Sequence, residues 1–249
     1  MKIFFYKYGS ICEPDISDSF RRLGFEVIDE DMEIYNKNLL PSQCVETVSK
    51  KLIDGKFTFV FTINFFPWLS DLCEIMHLKY ISLIVDSPVL ELYSYSLKND
   101  CNRIFLFDRC LYNEFEPFNQ GHIFHVPLAA DVNRIQNVIK NASTSEKAKF
   151  ASDISFIGST YQEKCPFNRS ELNDADRGFT DGIIEAQLKV YGYNFIEELI
   201  TEDFATRFLE ATPGSYRFPE SYRQKNRALV AQQLSLIHIS EPTRPEPIS

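Results

Sequence analysis

The first half of the chain alternates short apolar runs with stretches of helical periodicity, and several of the apolar runs end at a polar residue. The predicted strands lie at residues 3–6, 26–28, 57–63, 80–85, 103–107 and 122–126. Near-continuous apolar strands separated by helices are typical of a parallel sheet that is covered on both faces. The pattern therefore predicts an α/β fold over residues 1–140, with a doubly wound, Rossmann-like parallel sheet.

Prolines and glycines mark the predicted helices between these strands. Pro14, Pro41 and Pro67 suit the first turn of a helix, because proline lacks an N–H that this turn would leave unpaired. Gly24 suits the residue after the first helix, because glycine adopts left-handed backbone angles without steric cost. The residues of the first helix that its 3.6-residue period predicts to face the core are Ile16, Phe20 and Leu23.

Polar residues follow three of the predicted strands. Asn64, Asp86 and Asp108 each come directly after an apolar run, and Ser87 follows Asp86. Every strand of a parallel sheet ends at the same edge, and ligands bind outside that edge. We therefore expect these side chains to lie along one rim, and this rim is the predicted functional face.

The second half of the chain gives weaker signals. Residues 141–152 are polar and are interpreted as a linker. Residues 154–157 are predicted to form a strand that runs into Gly158 and Ser159, a small-residue turn of the kind that begins a nucleotide-binding half. Residues 153–233 otherwise carry helical periodicity without a further strand, so we expect a mostly helical second domain that is begun and not completed.

The last residues, 234–249, are similar to the in-frame translation of a sequencing-library adapter. Pro242, Pro245 and Pro247 cannot continue a helix, and segments of such origin do not inform the fold. We therefore expect an artefact tail that packs against nothing and has no regular structure beyond Leu236. On this interpretation the chain is a truncated fragment.

Composition and charge narrow the classes of function. The 249 residues carry a formal net charge of −9 without a basic stripe, which disfavours nucleic acid as a partner. No stretch approaches the ~20 apolar residues of a membrane span, and no signal peptide precedes the first strand. The six dispersed cysteines fit a reduced, cytoplasmic protein. The four histidines lack metal-ligand spacing, so no metal or other cofactor is expected.

Short motifs in a fixed order give a resemblance to a known family. They are FTINFFP at residues 61–67, VDSPV at 85–89, LYS at 92–94, FLFDR at 105–109, VPLA at 126–129 and DISFIGS at 153–159. Over residues 1–230 the chain resembles bacterial CgeB-type, spore maturation protein-like sequences, in which an N-terminal domain of unknown function precedes a glycosyltransferase-like domain. The resemblance implies a GT-B glycosyltransferase, which transfers a sugar from a nucleotide-sugar donor to an acceptor across a cleft between two Rossmann-like domains, usually without a metal.

The same resemblance implies roles for individual residues. The N-terminal domain becomes the acceptor side, which would bind a small molecule or a glycan, and Asp86 becomes the candidate catalytic base or acceptor contact. The candidate substrate-binding residues are Asn64, Ser87, Asp108, Arg109 and Tyr93. Gly158 and Ser159 would lie near the phosphates of the nucleotide-sugar donor in the full-length protein.

Each of these residues also has a structural interpretation. Asp86 and Ser87 form an ordinary turn sequence, and Asn64 can satisfy backbone groups before the next helix. Asp108 can form a local ion pair or cap a helix, and Tyr93 can pack in the core. These alternatives lead to different contacts, which a structure distinguishes.

Two other functions share the predicted fold. A non-catalytic binding or regulatory domain would use the same rim without chemistry, because a fold does not fix a function. A phosphoacceptor receiver domain needs an Asp at the end of its third strand and acidic residues after its first, whereas Asn64, Gly9 and Ser10 hold those places here. We therefore favour the acceptor-side half of a glycosyltransferase, and we expect the truncated chain itself to be inactive.

Overall fold

The computed structural model describes residues 1–36, 41–87, 89–155, 170–212 and 226–240. Within these ranges the side chains of Pro41, Gln232 and residues 235–240 are excepted. The chain divides into two compact units, Met1–Lys147 and Ala148–Ser249. Each unit buries apolar side chains of its own.

The first unit contains a six-stranded sheet in which every paired strand is parallel to its neighbour. Its strands are β1 (Lys2–Tyr6), β2 (Glu26–Glu30), β3 (Phe59–Ile63), β4 (Lys79–Ile84), β5 (Asn102–Leu106) and β6 (Ile123–His125). Their order across the sheet is β2-β1-β3-β4-β5-β6. The structure confirms the predicted parallel, Rossmann-like α/β sheet, and the predicted strands differ from the observed ones only at their ends.

Helices connect these strands. Those of the first unit are α1 (Glu13–Arg22), α2 (Met32–Tyr35), α3 (Pro41–Gly55), α4 (Pro67–Ile75), α5 (Arg109–Phe115) and α6 (Val132–Asn141), with short 3₁₀ helices at Leu90–Tyr93, Tyr95–Lys98 and Glu116–Phe118. Pro14, Pro41 and Pro67 lie in first helical turns, as predicted. The segment predicted as a linker contains a further helix, α7 (Thr144–Phe150), which spans the boundary between the two units.

The alternation of side chains along each strand distributes the core between the two faces of the sheet. In β1, Phe4 and Tyr6 belong to one cluster, and Ile3 and Phe5 belong to the other. The helix residues buried against the first face are Val48 and Leu52 of α3, Leu69 and Cys73 of α4, and Leu111 and Phe115 of α5. The α1 residues packed against the second face are Ile16 and Phe20. The core thus fixes the sheet between helices and leaves the strand ends free to form a site.

Leu23 does not face the core, which corrects the predicted stripe of α1. Its side chain is 73% exposed, because α1 ends at Arg22 and Gly24 turns the chain with a φ of 83°. Phe25 then packs against the ring of Phe20, with the two centroids 5.6 Å apart. The aromatic residue after the turn covers the surface that the periodicity assigned to Leu23.

The described part of the second unit is helical. Its helices are α8 (Asp174–Gln187), α9 (Ile196–Leu199), α10 (Glu202–Glu210) and α11 (Asn226–Ser240). Its buried apolar residues include Ile183, Ile184, Ile196, Phe204, Phe208, Leu229 and Val230. The guanidinium of Arg207 donates two hydrogen bonds, of 3.0 and 2.7 Å, to the Asp176 carboxylate, which ties α10 to α8. Among the described helices of the whole chain, none is both long and apolar enough to cross a membrane.

The strand predicted at residues 154–157 is not seen in the residues that the structure describes there. Ile154 and Ser155 have no strand conformation, and the Ile154 side chain is 93% exposed. The rest of that prediction, together with the turn at Gly158 and Ser159, lies outside the described residues.

The described part of the adapter-like tail, residues 234–240, differs from the prediction. Helix α11 continues to Ser240, four residues beyond Leu236, and the Leu234 side chain is fully buried. Leu234 lies one helical turn after Val230 and extends the same buried stripe of α11. The expectation that the tail packs against nothing is therefore wrong at Leu234, and Pro242, Pro245 and Pro247 lie outside the described residues.

Candidate functional site

The order of the strands locates a crevice at one edge of the sheet. From β1 the chain passes first to β2 on one side and then crosses back to β3 on the other side. In open parallel sheets, ligands bind outside the carboxyl ends of the strands where the order reverses in this way. The segments after β1 and β3 flank this point, and those after β4 and β5 continue the same edge. We call Tyr8, Asn64, Asp86, Ser87 and Asp108, which belong to these segments, the carboxyl rim.

Asn64 has a backbone conformation that is rare for a residue other than glycine. Its φ is 56°, in the left-handed region, which costs on the order of 1 kcal/mol or more. Its carbonyl oxygen accepts hydrogen bonds from the hydroxyls of Thr62, at 2.6 Å, and Ser82, at 3.1 Å. Its N–H donates to the Leu83 carbonyl at 2.8 Å. These bonds, from β3 itself and from the neighbouring strand β4, offset the strain and fix the direction of the Asn64 side chain.

The side chain of Asn64 links three segments of the rim. Its Nδ2 donates to the Tyr8 hydroxyl at 2.9 Å and to Oδ2 of Asp86 at 2.6 Å. Its Oδ1 accepts the N–H of Val85 at 3.1 Å. The amide therefore stabilises the loop after β4, rather than the backbone before the next helix that the structural interpretation named, and it also holds the carboxylate of Asp86. Asp86 itself is exposed.

Ser87 and Asp108 form a second hydrogen-bonded pair beside the first. The Ser87 hydroxyl donates to Oδ2 of Asp108 at 2.6 Å, and the Cys110 N–H donates to Oδ1 at 2.7 Å. Asp108 thus caps α5, which was one of its two structural interpretations. The Ser87 hydrogen bond is the largest influence on the pKa of Asp108 and lowers it, and the bonds from backbone N–H groups act in the same direction. Asp108 therefore carries a negative charge at neutral pH.

Arg109 and Tyr93 are engaged elsewhere. The Arg109 guanidinium lies 5.9 Å from the ring centroid of Tyr112, and in the part of the chain that the structure describes it forms no ion pair with Asp108. The Tyr93 ring packs edge-on against Phe115, with the centroids 4.9 Å apart, and contacts the core cluster of the first face. These contacts support the interpretation of Tyr93 as a core residue.

Two further residues of this edge, Tyr8 and Glu13, were not predicted from the sequence pattern. The Tyr8 hydroxyl accepts the Asn64 hydrogen bond, and burial, together with the nearby charge of Asp86, raises its pKa. Glu13 is buried, although it lies in the first turn of α1. Its Oε1 accepts the N–H groups of Tyr8, at 2.8 Å, and Gly9, at 3.2 Å. A tyrosine two residues after β1, followed by glycine, was the signal available in the sequence.

Two grooves lie along α1 in the first unit. The larger, of about 720 Å³, runs between α1 and α6, where Arg22 pairs with Asp131 at 2.8 Å and Arg134 pairs with Asp15 at 2.8 Å. The smaller, of about 310 Å³, is lined by residues of the loop after β1, including Cys12, and by residues that follow β6. The smaller groove therefore provides a concave surface that adjoins the loop of Tyr8 and Gly9.

The polar groups of the rim are of a kind that can form hydrogen bonds with hydroxyl groups. Asp86 and Asp108 offer carboxylate oxygens, Tyr8 and Ser87 offer hydroxyls, and Asn64 fixes the first carboxylate in place. Over the described residues, no group of three or more His, Cys, Asp or Glu side chains is arranged to hold a metal ion. An ionised carboxylate held by an amide can accept a proton from a bound hydroxyl, provided that the hydroxyl comes within hydrogen-bond reach.

Comparison with known proteins adds no relative to this description. No protein-family model matches the chain, and no curated protein matches it either. The function of the rim therefore has to be inferred from its own residues and from the resemblance of the sequence motifs.

Proposed function

We propose that the first unit is the acceptor-binding domain of a GT-B glycosyltransferase and that the carboxyl rim binds the acceptor. The observation that carries the proposal is the hydrogen bond between Asn64 and Asp86 beside the reversal of strand order. Through this bond an amide fixes a carboxylate at the edge where parallel sheets bind their ligands. The motifs shared with CgeB-type sequences include both residues.

In this proposal Asp86 acts on the acceptor hydroxyl. The hydroxyl oxygen attacks the anomeric carbon of the donor sugar, the bond from that carbon to the nucleotide phosphate breaks, and the hydroxyl proton passes to the Asp86 carboxylate. Asn64 binds Oδ2 of Asp86, which orients the group so that its other oxygen faces the acceptor. Such positioning accounts for much of the rate in a reaction between two bound substrates.

Ser87 and Asp108 support the same surface in different ways. The Ser87 hydroxyl donates a hydrogen bond to Asp108, so its lone pairs remain to accept a hydrogen bond from an acceptor hydroxyl. Asp108 is fixed in turn by the N–H of Cys110. We therefore assign Ser87 to substrate binding and Asp108 to the positioning of Ser87.

The test begins with ligand binding by the full chain. Amide chemical shifts are followed by NMR during titration with a panel of mono- and oligosaccharides. Saccharides are expected to shift the signals of Tyr8, Asn64 and Asp86, and Asp86→Asn is expected to weaken binding, whereas Glu46→Gln, at an exposed position of α3, leaves it unchanged. Shifts confined to other surfaces, or no saccharide binding at all, would contradict the proposal.

The transfer step is tested separately with a panel of sugar nucleotides. The assay uses this chain and, in parallel, a longer protein that contains residues 1–233. Sugar transfer that is lost in Asp86→Asn supports a transferase. Saccharide binding without transfer by either protein would favour the alternative, a non-catalytic binding or regulatory domain on the same fold.

A further inference from the structure

We infer that the carboxyl rim selects uncharged or amine-bearing saccharides and rejects saccharides that carry phosphate or carboxylate groups. The inference rests on the proposed function, because it names the chemical class of the acceptor. It follows from two features of the rim: several of its N–H groups already donate to the chain's own carboxylates, and Asp86 and Asp108 have no ion-pair partner among the described residues.

The first feature is the state of the loop after β1. In many parallel α/β folds the N–H groups of this turn, at the start of the following helix, bind a phosphate. Here the N–H groups of Tyr8 and Gly9 donate to the carboxylate of Glu13, a residue that is only 2% exposed. The second oxygen of Glu13 also accepts the Gly9 N–H, at 3.2 Å. A carboxylate of the chain itself thus occupies the place that a phosphate would take.

A carboxylate of the chain also accepts a backbone N–H in the loop after β5. The Cys110 N–H at the start of α5 donates to Asp108 at 2.7 Å. Both hydrogens of the Asn64 amide are also in use, toward Tyr8 and Asp86. An incoming anion would have to displace an internal carboxylate, or in one case the Tyr8 hydroxyl, to reach these N–H groups.

The second feature is the charge of the rim. In the described parts of the chain neither Asp86 nor Asp108 has an ion-pair partner within 4.0 Å. Lys7, which follows β1, pairs instead with Asp29 at 2.8 Å. The Arg109 guanidinium lies over the Tyr112 ring. The nearby cations in these segments are therefore directed to other groups.

The two carboxylates lie close enough to act together. Ser87 follows Asp86 directly and binds Asp108 at 2.6 Å. Since consecutive Cα atoms are about 3.8 Å apart, the carboxylates are separated by at most roughly 12 Å. An anion bound midway between them lies within about half of that distance from each carboxylate. This is shorter than the screening length of about 8 Å at physiological ionic strength, so both carboxylates repel the anion. A protonated amine at the same place is attracted by both.

The experiment compares matched neutral, amine-bearing and phosphorylated sugars by NMR titration of the full chain. Glucose, glucosamine and glucose 6-phosphate, and the corresponding galactose derivatives, are titrated at low and high salt. The phosphorylated sugar is expected to bind at least about tenfold more weakly than the neutral one, and the amino sugar at least as tightly as the neutral one. Asp86→Asn and high salt are both expected to reduce the ratio between neutral and phosphorylated sugar.

The outcomes separate this inference from the function on which it rests. If a phosphorylated sugar binds at the rim as tightly as its neutral counterpart, the inference is wrong while the proposed function stands. If none of the sugars binds, the proposed function is contradicted and the inference falls with it.

A second measurement uses inorganic phosphate as the probe. The wild-type chain is expected to show no phosphate-dependent shifts at the Tyr8 and Gly9 amides, whereas Glu13→Ala, which frees these N–H groups, is expected to gain them. Phosphate binding at these amides in the wild type would overturn the inference. Because Glu13 is buried, folding of the variant is checked by its amide spectrum, and the sugar comparison in the wild type does not depend on that variant.

Discussion

The Asn64 amide donates a hydrogen bond of 2.6 Å to the Asp86 carboxylate, although the two residues follow different strands. Asn64 makes this contact from a left-handed backbone, with a φ of 56°, and its carbonyl is held by hydroxyls of Thr62 and Ser82. Strained residues that the surrounding structure fixes occur preferentially at functional sites. The strain at Asn64 therefore has an evident use, because it directs the amide toward Tyr8 and Asp86.

The two contributions of Asn64, its backbone and its amide, can be separated by substitution. Asn64→Gly removes the side-chain hydrogen bonds and keeps a backbone that tolerates positive φ. Asn64→Ala removes the same bonds and adds the left-handed penalty of about 1–2 kcal/mol. We expect Asn64→Ala to be less stable than Asn64→Gly by about 1 kcal/mol in urea denaturation. Equal stability of the two variants would show that the backbone conformation is not strained in solution.

The buried hydroxyl of Tyr80 stabilises the segment that contains Asn64. Tyr80 is fully buried, its hydroxyl accepts the N–H of Phe66 at 3.0 Å, and it also bonds to the Thr62 hydroxyl at 2.8 Å. Tyr80→Phe leaves that N–H without its acceptor, so we expect a loss of about 1–3 kcal/mol in the free energy of unfolding. The matched control is Tyr95→Phe, since Tyr95 is 53% exposed and should lose little. Similar losses for both variants would contradict a role for this hydroxyl.

The fold was more predictable than the contacts that build the site. Apolar runs identified all the strands of the sheet, and the polar residues after them identified Asn64 and Asp86 as neighbours on one edge. The place of Glu13 was not predictable in this way, because its contact with Tyr8 and Gly9 depends on how the loop after β1 folds back onto α1. Local periodicity carries no information about such a return.

The difference between local pattern and tertiary contact also explains the two wrong predictions, at Leu23 and Leu234. The period of α1 assigned Leu23 to the core, but the turn at Gly24 replaces it with Phe25. The similarity to an adapter placed the start of the tail at Leu234, but burial of that side chain depends on packing between helices of the second unit. Leu23 lies just after the end of α1, whereas Leu234 lies within α11, and in both places tertiary contacts decide the burial rather than the local pattern.

The charge of Asp108 makes the stability of the first unit depend on pH through Ser87. The folded-state pKa of Asp108 is lowered, first by the Ser87 hydrogen bond. Its stabilising contribution is thus present above the unfolded value of about 3.9 and is lost as the pH falls through the folded value. We expect Ser87→Ala to raise the pKa of Asp108, which NMR titration of its carboxyl carbon measures directly.

The corresponding effect on stability should be small, because Asp108 is partly exposed. We expect Ser87→Ala to lower the free energy of unfolding by less than about 1 kcal/mol at neutral pH, and by less still in acid where Asp108 is protonated. In an Asp108→Asn background this pH dependence should vanish. A pH-dependent loss that persists there would assign the effect to another group.

The last prediction concerns Leu234, where the sequence and the structure disagree most directly. Its side chain is fully buried in the second unit, beside Val230 one turn earlier on α11. A buried leucine that is shortened to alanine leaves a cavity, and the usual cost is about 2–5 kcal/mol. We therefore expect Leu234→Ala to lower the stability of the second unit by an amount in this range, and to leave hydrogen exchange in the sheet of the first unit unchanged. Leu199→Ala is the matched control, because Leu199 is 46% exposed and its truncation should cost much less. Hydrogen exchange of the α8 and α10 amides provides the measurement. The alternative outcome is that these amides are as well protected from exchange in Leu234→Ala as in the wild type. The packing of Leu234 would then contribute nothing to the unit, and the expectation of a tail without structural contacts would be restored.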